Sequence, residues 1–539
     1  MKFIYVAINA KYIHTSPAVR ILNKIVTTKY ESNFVEFSIK DNMDHIIDYL
    51  KDYDCINFSS YIWNIEYIIK IALKIRELYP KKTLVAGGPE VSYEPENFIK
   101  YFDYIMCGEG EEMVLPLNDY IVGISGTLPL GVASKLNPHA PYQIVKDLKS
   151  VPDILDSYSL DDMKNRIIYV ETTRGCPFNC TYCLSSVEKG VRFFSDEYIT
   201  HLFDFITNNE FKCIKFLDRT FNVNPNRFLK ICRLLEKTNN TYQFEIAAEL
   251  FNDDVIKYFT EEVTINKFRL EIGIQSLNDD AIKAVNRIQD TKRLLEVIEK
   301  INNANRCTIH TDLIAGLPYE NFESFKKTFN KTFLLLTEEL QLGFLKMLRG
   351  TEIRNDSQKY DYKFKSDAPY EVISNKFISE EELSIIHKCE NSLEWMWNDK
   401  RAINLIRHLI KDNIIDSFFD FFVSFDNYYK KNVPLHENYI NLVNYLKDIG
   451  IYKIEYLYDL KLDFLSKSRV KPMPFWKDKT KDDYLKKEFE FQSLGLDESY
   501  RNSFITKYYD KFIVIKYVKG LDPELKIMDP KKDMWTNTF

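Results

Sequence analysis

Three cysteines crowd into one short stretch of a 539-residue chain: Cys176, Cys180 and Cys183, spaced Cys-x3-Cys-x2-Cys. Thiolates are soft ligands, suited to iron–sulfur clusters or to zinc. A single loop can wrap three thiolates around a cubic cluster. Three ligands to four irons leave one iron open, and an open metal position is where a substrate or cofactor binds. Gly175 lets the chain turn ahead of the first ligand. The alternative is structural zinc, which wants four ligands, usually as two paired motifs. The nearest further donors, His201 and Cys213, stand alone on a predicted helix and a predicted strand. The remaining cysteines are scattered and read as small buried hydrophobes.

The elements that position this loop alternate along residues 167–350. Predicted strands are Ile167–Thr172, Cys213–Leu217, Tyr242–Ala247, Phe268–Ile274, Thr308–Ile314 and Gln341–Lys346, with helices such as Asp196–Thr207, Pro225–Glu236, Thr291–Ala304 and Phe322–Phe333 between them. Six βα units at a spacing of ~30–35 residues predict a partial (βα)6 barrel of the TIM type, with its chemistry at the carboxyl ends of the strands. The cysteines follow the first of these strands. Residues 1–125 also alternate, with strands near Lys2–Asn9, Phe34–Ile39, Cys55–Ser60, Lys82–Ala86 and Tyr104–Cys107. That pattern predicts an α/β doubly wound parallel sheet. Ligands of such sheets bind beyond the strand ends, which here carry Ser59, Gly87-Gly88 and Gly108-Glu109-Gly110-Glu111. Residues 126–166, with four prolines, read as a linker, and 351–539 as a mostly helical C-terminal domain dense in aromatics (Phe418, Phe419, Phe421, Phe422, Tyr428, Tyr429).

Composition bounds the class. Hydrophobic residues make up 45% and charged residues 28%, which is globular. Lys+Arg 73 against Asp+Glu 79 gives −6, so no basic field covers the whole chain. No run approaches ~18 apolar residues, so no membrane span is expected. The first residues enter a strand directly without a signal-peptide pattern, and the expected localisation is cytoplasmic.

The segment Arg174-Gly175-Cys176-Pro177-Phe178-Asn179-Cys180-Thr181-Tyr182-Cys183 resembles the radical S-adenosylmethionine (SAM) superfamily. The resemblance implies a [4Fe–4S] cluster on Cys176, Cys180 and Cys183, with SAM chelating the fourth iron and cleaved by one electron to a 5′-deoxyadenosyl radical. Tyr182 matches the aromatic beside the adenine. Gly273-Ile274-Gln275-Ser276, Asn286-Arg287 and His310-Thr311-Asp312-Leu313-Ile314-Ala315-Gly316-Leu317-Pro318 look like the SAM-holding positions of the oxygen-independent coproporphyrinogen oxidase and methylthiotransferase branch. The carry-over places Gln275, Arg287 and Asp312 around SAM, with Arg287 suited to its carboxylate. Glu245 and Glu249 are the carboxylates for the ribose or the methionine amine. The Gly-Gly-Glu of many members is replaced by Leu217-Asp218-Arg219-Thr220, which leaves Asp218 or Arg219 as stand-ins.

Residues 1–120 resemble the cobalamin-binding domain found ahead of many radical SAM barrels, which implies cobalamin against Ser59, Gly87, Gly88 and Gly108. The usual Asp-x-His-x-x-Gly reads Asn9-Ala10-Lys11-Tyr12-Ile13-His14, so no histidine sits at the cobalt-ligand offset. His14, or a cover by Tyr61 or Trp63, stays open for the lower face.

Together these resemblances imply a cobalamin-dependent radical SAM enzyme that methylates an unactivated carbon in an anaerobic cell. An electron donor such as flavodoxin or ferredoxin would serve it. A second reading keeps both cofactors but performs rearrangement, cyclisation or oxidation. A third makes the chain an RNA-modifying or RNA-binding protein through Lys477, Lys479, Lys486, Lys487, Lys526, Lys531 and Lys532, although acidic residues interleave that tail. The substrate, whether small molecule, peptide or RNA, is written in no motif, and no catalytic residue is assigned.

Overall fold

Strand β1 (Phe3–Asn9) is buried along its whole length, as a central strand must be when helices cover both faces of a sheet. In a computed structural model it lies inside a six-stranded sheet of order β2-β1-β3-β4-β5-β6, formed with β2 (Ser32–Ser38), β3 (Cys55–Ser59), β4 (Thr83–Gly87), β5 (Tyr104–Met106) and β6 (Val132–Ser134). The structure describes residues 1–467, 473–476, 491–492, 494–496, 500, 503–517 and 523–529. Alternation along β1 sorts the core. Ile4, Val6 and Ile8 pack with Ile46, Ile68 and Ile71 of helices Met43–Leu50 and Ile65–Leu78. Phe3, Tyr5 and Ala7 pack with Val19, Val26 and Leu117 of helices Pro17–Val26 and Val114–Ile121. The first five strands are parallel, and β6 runs antiparallel to β5 at the edge. β6 therefore brings part of the stretch read as a linker into the sheet.

The second sheet contains β7 (Ile167–Val170), β10 (Cys213–Phe216), β11 (Tyr242–Ile246), β12 (Phe268–Gln275), β13 (Thr308–Ala315) and β14 (Glu339–Phe344), parallel and in chain order. This is the partial barrel, with β7 and β14 at its edges. A short hairpin, β8 (Thr173–Arg174) with β9 (Arg192–Phe193), follows β7 and encloses the cysteine loop. Both barrel edges are covered, as exposed edges demand. Ile13 accepts from the Ile167 amide at 2.8 Å, and Val372 donates to the Leu345 carbonyl at 3.0 Å. The second contact comes from β16 (Val372–Ser374), which pairs with β15 (Lys363–Phe364).

Two compact units result: residues 1–328 with 335–380, and 329–334 with 381–539. Residues 351–380, grouped by sequence with the C-terminal domain, thus belong with the barrel whose edge they cover. In the second unit, helices Glu380–Leu393, Ile403–Asp412, Phe418–Asp426, Leu435–Asp448 and Ile454–Lys467 bury Trp395, Phe419, Phe422, Phe425, Tyr439 and Tyr445. The aromatics Phe418, Phe419, Phe421 and Phe422 are core residues. Asp463 caps helix Ile403–Asp412, accepting from the Asn404 and Leu405 amides at 3.1 and 3.3 Å. An antiparallel sheet of β17 (Phe504–Tyr508), β18 (Lys511–Lys516) and β19 (Glu524–Met528) adds to the expected helices. Lys477, Lys479, Lys486, Lys487, Lys531 and Lys532 lie outside the described residues. Lys526 pairs with Glu524 at 2.7 Å. Among the described residues no helix is long and apolar enough to cross a membrane.

Candidate functional site

A barrel of this type ordinarily packs its lumen with branched apolar side chains. Here the outward positions of β12 (Leu270, Ile272, Ile274) are buried and apolar, while the alternate positions carry Arg269, Glu271, Gly273 and Gln275. Register sets Lys215 beside Gln243, Glu245 beside Glu271, Glu271 beside His310, and Gly273 beside Asp312. The result is a cavity of about 530 Å³. Cys176, Cys180 and Cys183 line it, and so do Tyr182, Glu245, Glu249, Gln275, Arg287 and Asp312, so every residue assigned to the cluster or to SAM faces one space.

The cysteine loop is held by its own backbone. Gly175 has φ +86°, and a Cβ there would stand 2.3 Å from the Gly190 carbonyl oxygen across the hairpin. Ser186 Oγ donates to the Cys180 and Cys183 carbonyls at 2.8 and 2.6 Å. The Thr181 amide donates to the Val285 carbonyl at 3.0 Å, which ties the loop to the turn before Arg287. Burial pushes the Cys180 thiol up, against the pull of Arg287. Among the described residues no three His, Cys, Asp or Glu donors converge on a point suited to one ion. His201 pairs with Asp153 instead, and Cys213 sits on β10, so neither supplies a fourth ligand to a zinc site. The three thiols line one cavity.

Other groups in the cavity carry buried polar atoms without a partner or are held in place by neighbouring groups. Gln275 sits at a register shift with φ +65°, and its Oε1 is buried without a hydrogen-bond partner. The same holds for Glu249 Oε2. Arg287 is pre-set: NH2 donates to the Gly273 carbonyl at 2.6 Å and Nε to Gln289 Oε1 at 2.8 Å. Burial, then Glu271 and Glu245, raise the Asp312 carboxyl to about 7. Asp218 is no amine ligand. It is 1% exposed and accepts from the Thr172 amide at 2.9 Å and from Thr173 Oγ1 at 2.7 Å, which locks the end of β7 to that of β10. Sequence reasoning missed Lys215, Glu271 and Gln289. Lys215 and Glu271 were legible as polar residues on alternate strand positions; Gln289, behind Arg287, left no such mark.

A second cavity of about 370 Å³ lies at the carboxyl end of the N-terminal sheet, where the chain reverses direction between β1 and β3. Ser59, Gly87, Gly88 and Gly108 all line it. Asn57 does too, with a buried Oδ1 lacking a partner. The reason for Gly108 differs from the one expected, close approach to a ligand. Its φ is +111°, and a Cβ would stand 2.0 Å from the Gln143 carbonyl oxygen, so another stretch of backbone demands the glycine. His14 is absent from the lining. Its Nδ1 meets Tyr169 Oη at 2.7 Å, at the edge of the barrel. Tyr61 lines the cavity, and Trp63 stacks on its far side with centroids 4.4 Å apart.

The two cavities adjoin. Arg219 lines both, and its NH1 stands 3.5 Å from Glu245. Charged groups fix the sheet against the cysteine loop: Arg174 bridges Glu111 (2.8 Å), Glu171 (3.0 Å) and Glu109 (3.4 Å), and Arg192 meets Glu109 at 2.7 Å.

Three stretches of the chain match known families. Residues 4–117 match the family described as B12 binding domain and 170–332 the Radical SAM superfamily, while 358–516 match a family described as Protein of unknown function (DUF4080). The cobalamin-dependent radical SAM methyltransferase TokK of Streptomyces tokunonensis is 24% identical over 328 residues, 53% of this chain and 45% of the relative. The chain thus spans about half the length of that curated relative. Among solved structures, the cobalamin-dependent S-adenosylmethionine radical enzyme OxsB with aqua-cobalamin bound superposes with TM-score 0.60 at 13% identity, covering 86% of this chain and 78% of the other. The radical S-adenosylmethionine methyltransferase TsrM of Kitasatospora setae gives 0.52 at 13% identity, over 66% and 76%. At these identities the likeness is one of fold.

Proposed function

We propose that this chain, a radical SAM domain behind a B12-binding domain, is a cobalamin-dependent radical SAM enzyme that transfers a methyl group to an unactivated carbon. The observation that carries the reading is the pair of adjoining cavities, one lined by three thiols and the other by the glycine-bearing strand ends of the N-terminal sheet, with Arg219 on the border of both.

When bound, the cluster supplies the electron that cleaves SAM, and cobalamin carries the methyl group. The chain's own residues do the rest. Cys176, Cys180 and Cys183 would hold the cluster. Arg287, oriented by Gly273 and Gln289, receives the SAM carboxylate. The unpartnered Gln275 Oε1 and Glu249 Oε2 accept from SAM donors, since a buried acceptor left unpaired costs ~1–3 kcal/mol. Asp312 and Glu245 face the sugar and the amine. Tyr182 flanks the base. Arg174 and Arg192 tie the N-terminal sheet to the hairpin around the cysteine loop, and so would keep the two cavities in register with each other.

Anaerobic reconstitution of the full chain with iron, sulfide, cobalamin and SAM tests the proposal. The expected result is cluster and corrinoid absorbance together with deoxyadenosine release. Replacing all three cysteines by alanine should abolish both iron binding and deoxyadenosine release while leaving cobalamin retention. Deoxyadenosine release by the triple variant would overturn the reading.

A further inference from the structure

The steps above leave His310 without a task. It is 7% exposed, lines the 530 Å³ cavity, and its Nε2 is buried without a hydrogen-bond partner. Its Nδ1 lies 2.9 Å from Arg269 NH2. A guanidinium has donors only, so Nδ1 is the acceptor, and the proton of the neutral ring sits on Nε2. Arg269 is itself held by Glu339, NH2 to Oε2 at 2.6 Å. The Nε2–H group stands 3.4 Å from Asp312 Oδ1 and 3.8 Å from Glu339 Oε1, and Glu339 is already taken by Arg269.

Asp312 and His310 share one face of β13, two positions apart, so the strand repeat fixes their separation. On the neighbouring strands β12 and β11 the carboxylates Glu271 and Glu245 act on Asp312 as like charges, while the nearby cation, Lys215, is drawn to Glu271 at 2.6 Å. An ionised Asp312 therefore needs a donor. A neutral N–H serves a site for a sulfonium better than a lysine would, because it steadies the carboxylate without setting a like charge beside the ligand.

We propose that His310 is a positioning residue for SAM: its Nε2–H turns onto Asp312 and aims that carboxylate at the bound ligand, while Arg269 and Glu339 fix the tautomer that makes this possible. The inference rests on the reading of Asp312 as a SAM contact.

The test compares reconstituted full-length wild type with His310→Leu, His310→Gln and His310→Asn. Glutamine keeps a donor close to the Nε2 position; leucine has none, and asparagine is too short to reach. Anaerobic equilibrium dialysis gives the SAM Kd, and deoxyadenosine release with a chemical reductant gives KM and kcat. Expected are a Kd and KM for SAM raised about tenfold in the leucine and asparagine variants, the size of one lost hydrogen bond to a charged group. Iron content and kcat at saturating SAM should stay within twofold of wild type, and the glutamine variant within about threefold on every measure. If the leucine variant does not fold, the glutamine–asparagine pair decides alone. Wild-type affinity in the asparagine variant, or equal losses with glutamine and asparagine, would overturn the proposal while the enzyme reading stands. A wild type that neither binds SAM nor releases deoxyadenosine overturns both.

Discussion

Asp312→Asn should make the cofactor-free protein more stable at pH 8 and leave it nearly unchanged at pH 4. Burial, followed by Glu271 and Glu245, raises the Asp312 carboxyl to about 7, against an ordinary value of ~3.9. Three pH units at ~1.4 kcal/mol each set a ceiling of about 4 kcal/mol on the cost of ionising it in the folded state. The side chain is 32% exposed to the water of the cavity, and screening reduces that figure to about 1–2 kcal/mol. The sign follows from proton counts. Between pH ~4 and ~7 the folded protein holds a proton that the unfolded chain has released, so stability falls as pH rises through this window, and above ~7 the whole cost is present. Asparagine carries no charge at any of these pH values. Thermal unfolding at pH 4, 6 and 8 should show a wild-type-to-variant gap opening from near zero to ~1–3 °C. Glu245 and Glu249 are also raised by burial, but they are common to both proteins and largely cancel in the difference. A gap that is constant with pH, or a variant less stable at pH 8, would refute the reasoning.

Three further outcomes are expected. Arg174→Met leaves Glu109, Glu111 and Glu171 without their shared cation in a site where Arg174 is 11% exposed; chemical denaturation should show a loss of about 3–5 kcal/mol. Gly108→Ala forces a Cβ within 2.0 Å of the Gln143 carbonyl oxygen at φ +111°; it should cost about 3 kcal/mol and lower cobalamin retention, measured by corrinoid absorbance after gel filtration. His14→Ala removes a contact to Tyr169 but nothing that lines the sheet cavity; the electron paramagnetic resonance spectrum of bound cob(II)alamin should match wild type, and a changed axial signature would restore His14 as a ligand.

Much of the site was legible because strand ends and short spacings are local properties. Cys176, Cys180 and Cys183 fall within one loop whatever the rest of the chain does, and the family resemblance carried by short motifs implied that Gln275, Arg287 and Asp312 meet at one end of the barrel that the βα alternation predicts. The supporting groups were hidden because they depend on pairings distant in sequence. Asp218 read as a ligand candidate until Thr172 and Thr173 were found to occupy it. Gly108 read as room for a ligand until Gln143 was found against it. Residues 351–380 read as part of the C-terminal domain, since no local signal says that a barrel edge needs covering.

By itself the amino-acid sequence determined the chemistry at hand: soft thiolates in a triad, a parallel sheet ahead of a parallel barrel, and polar residues where strands end. Those depend on residue type and period, which the backbone repeats faithfully. Only the tertiary structure decided which polar groups are spent on each other and which are left facing a cavity. Hydrogen bonds are claimed by whichever partner the fold brings within ~3 Å, and whether that partner is protein or ligand is settled by packing across hundreds of residues.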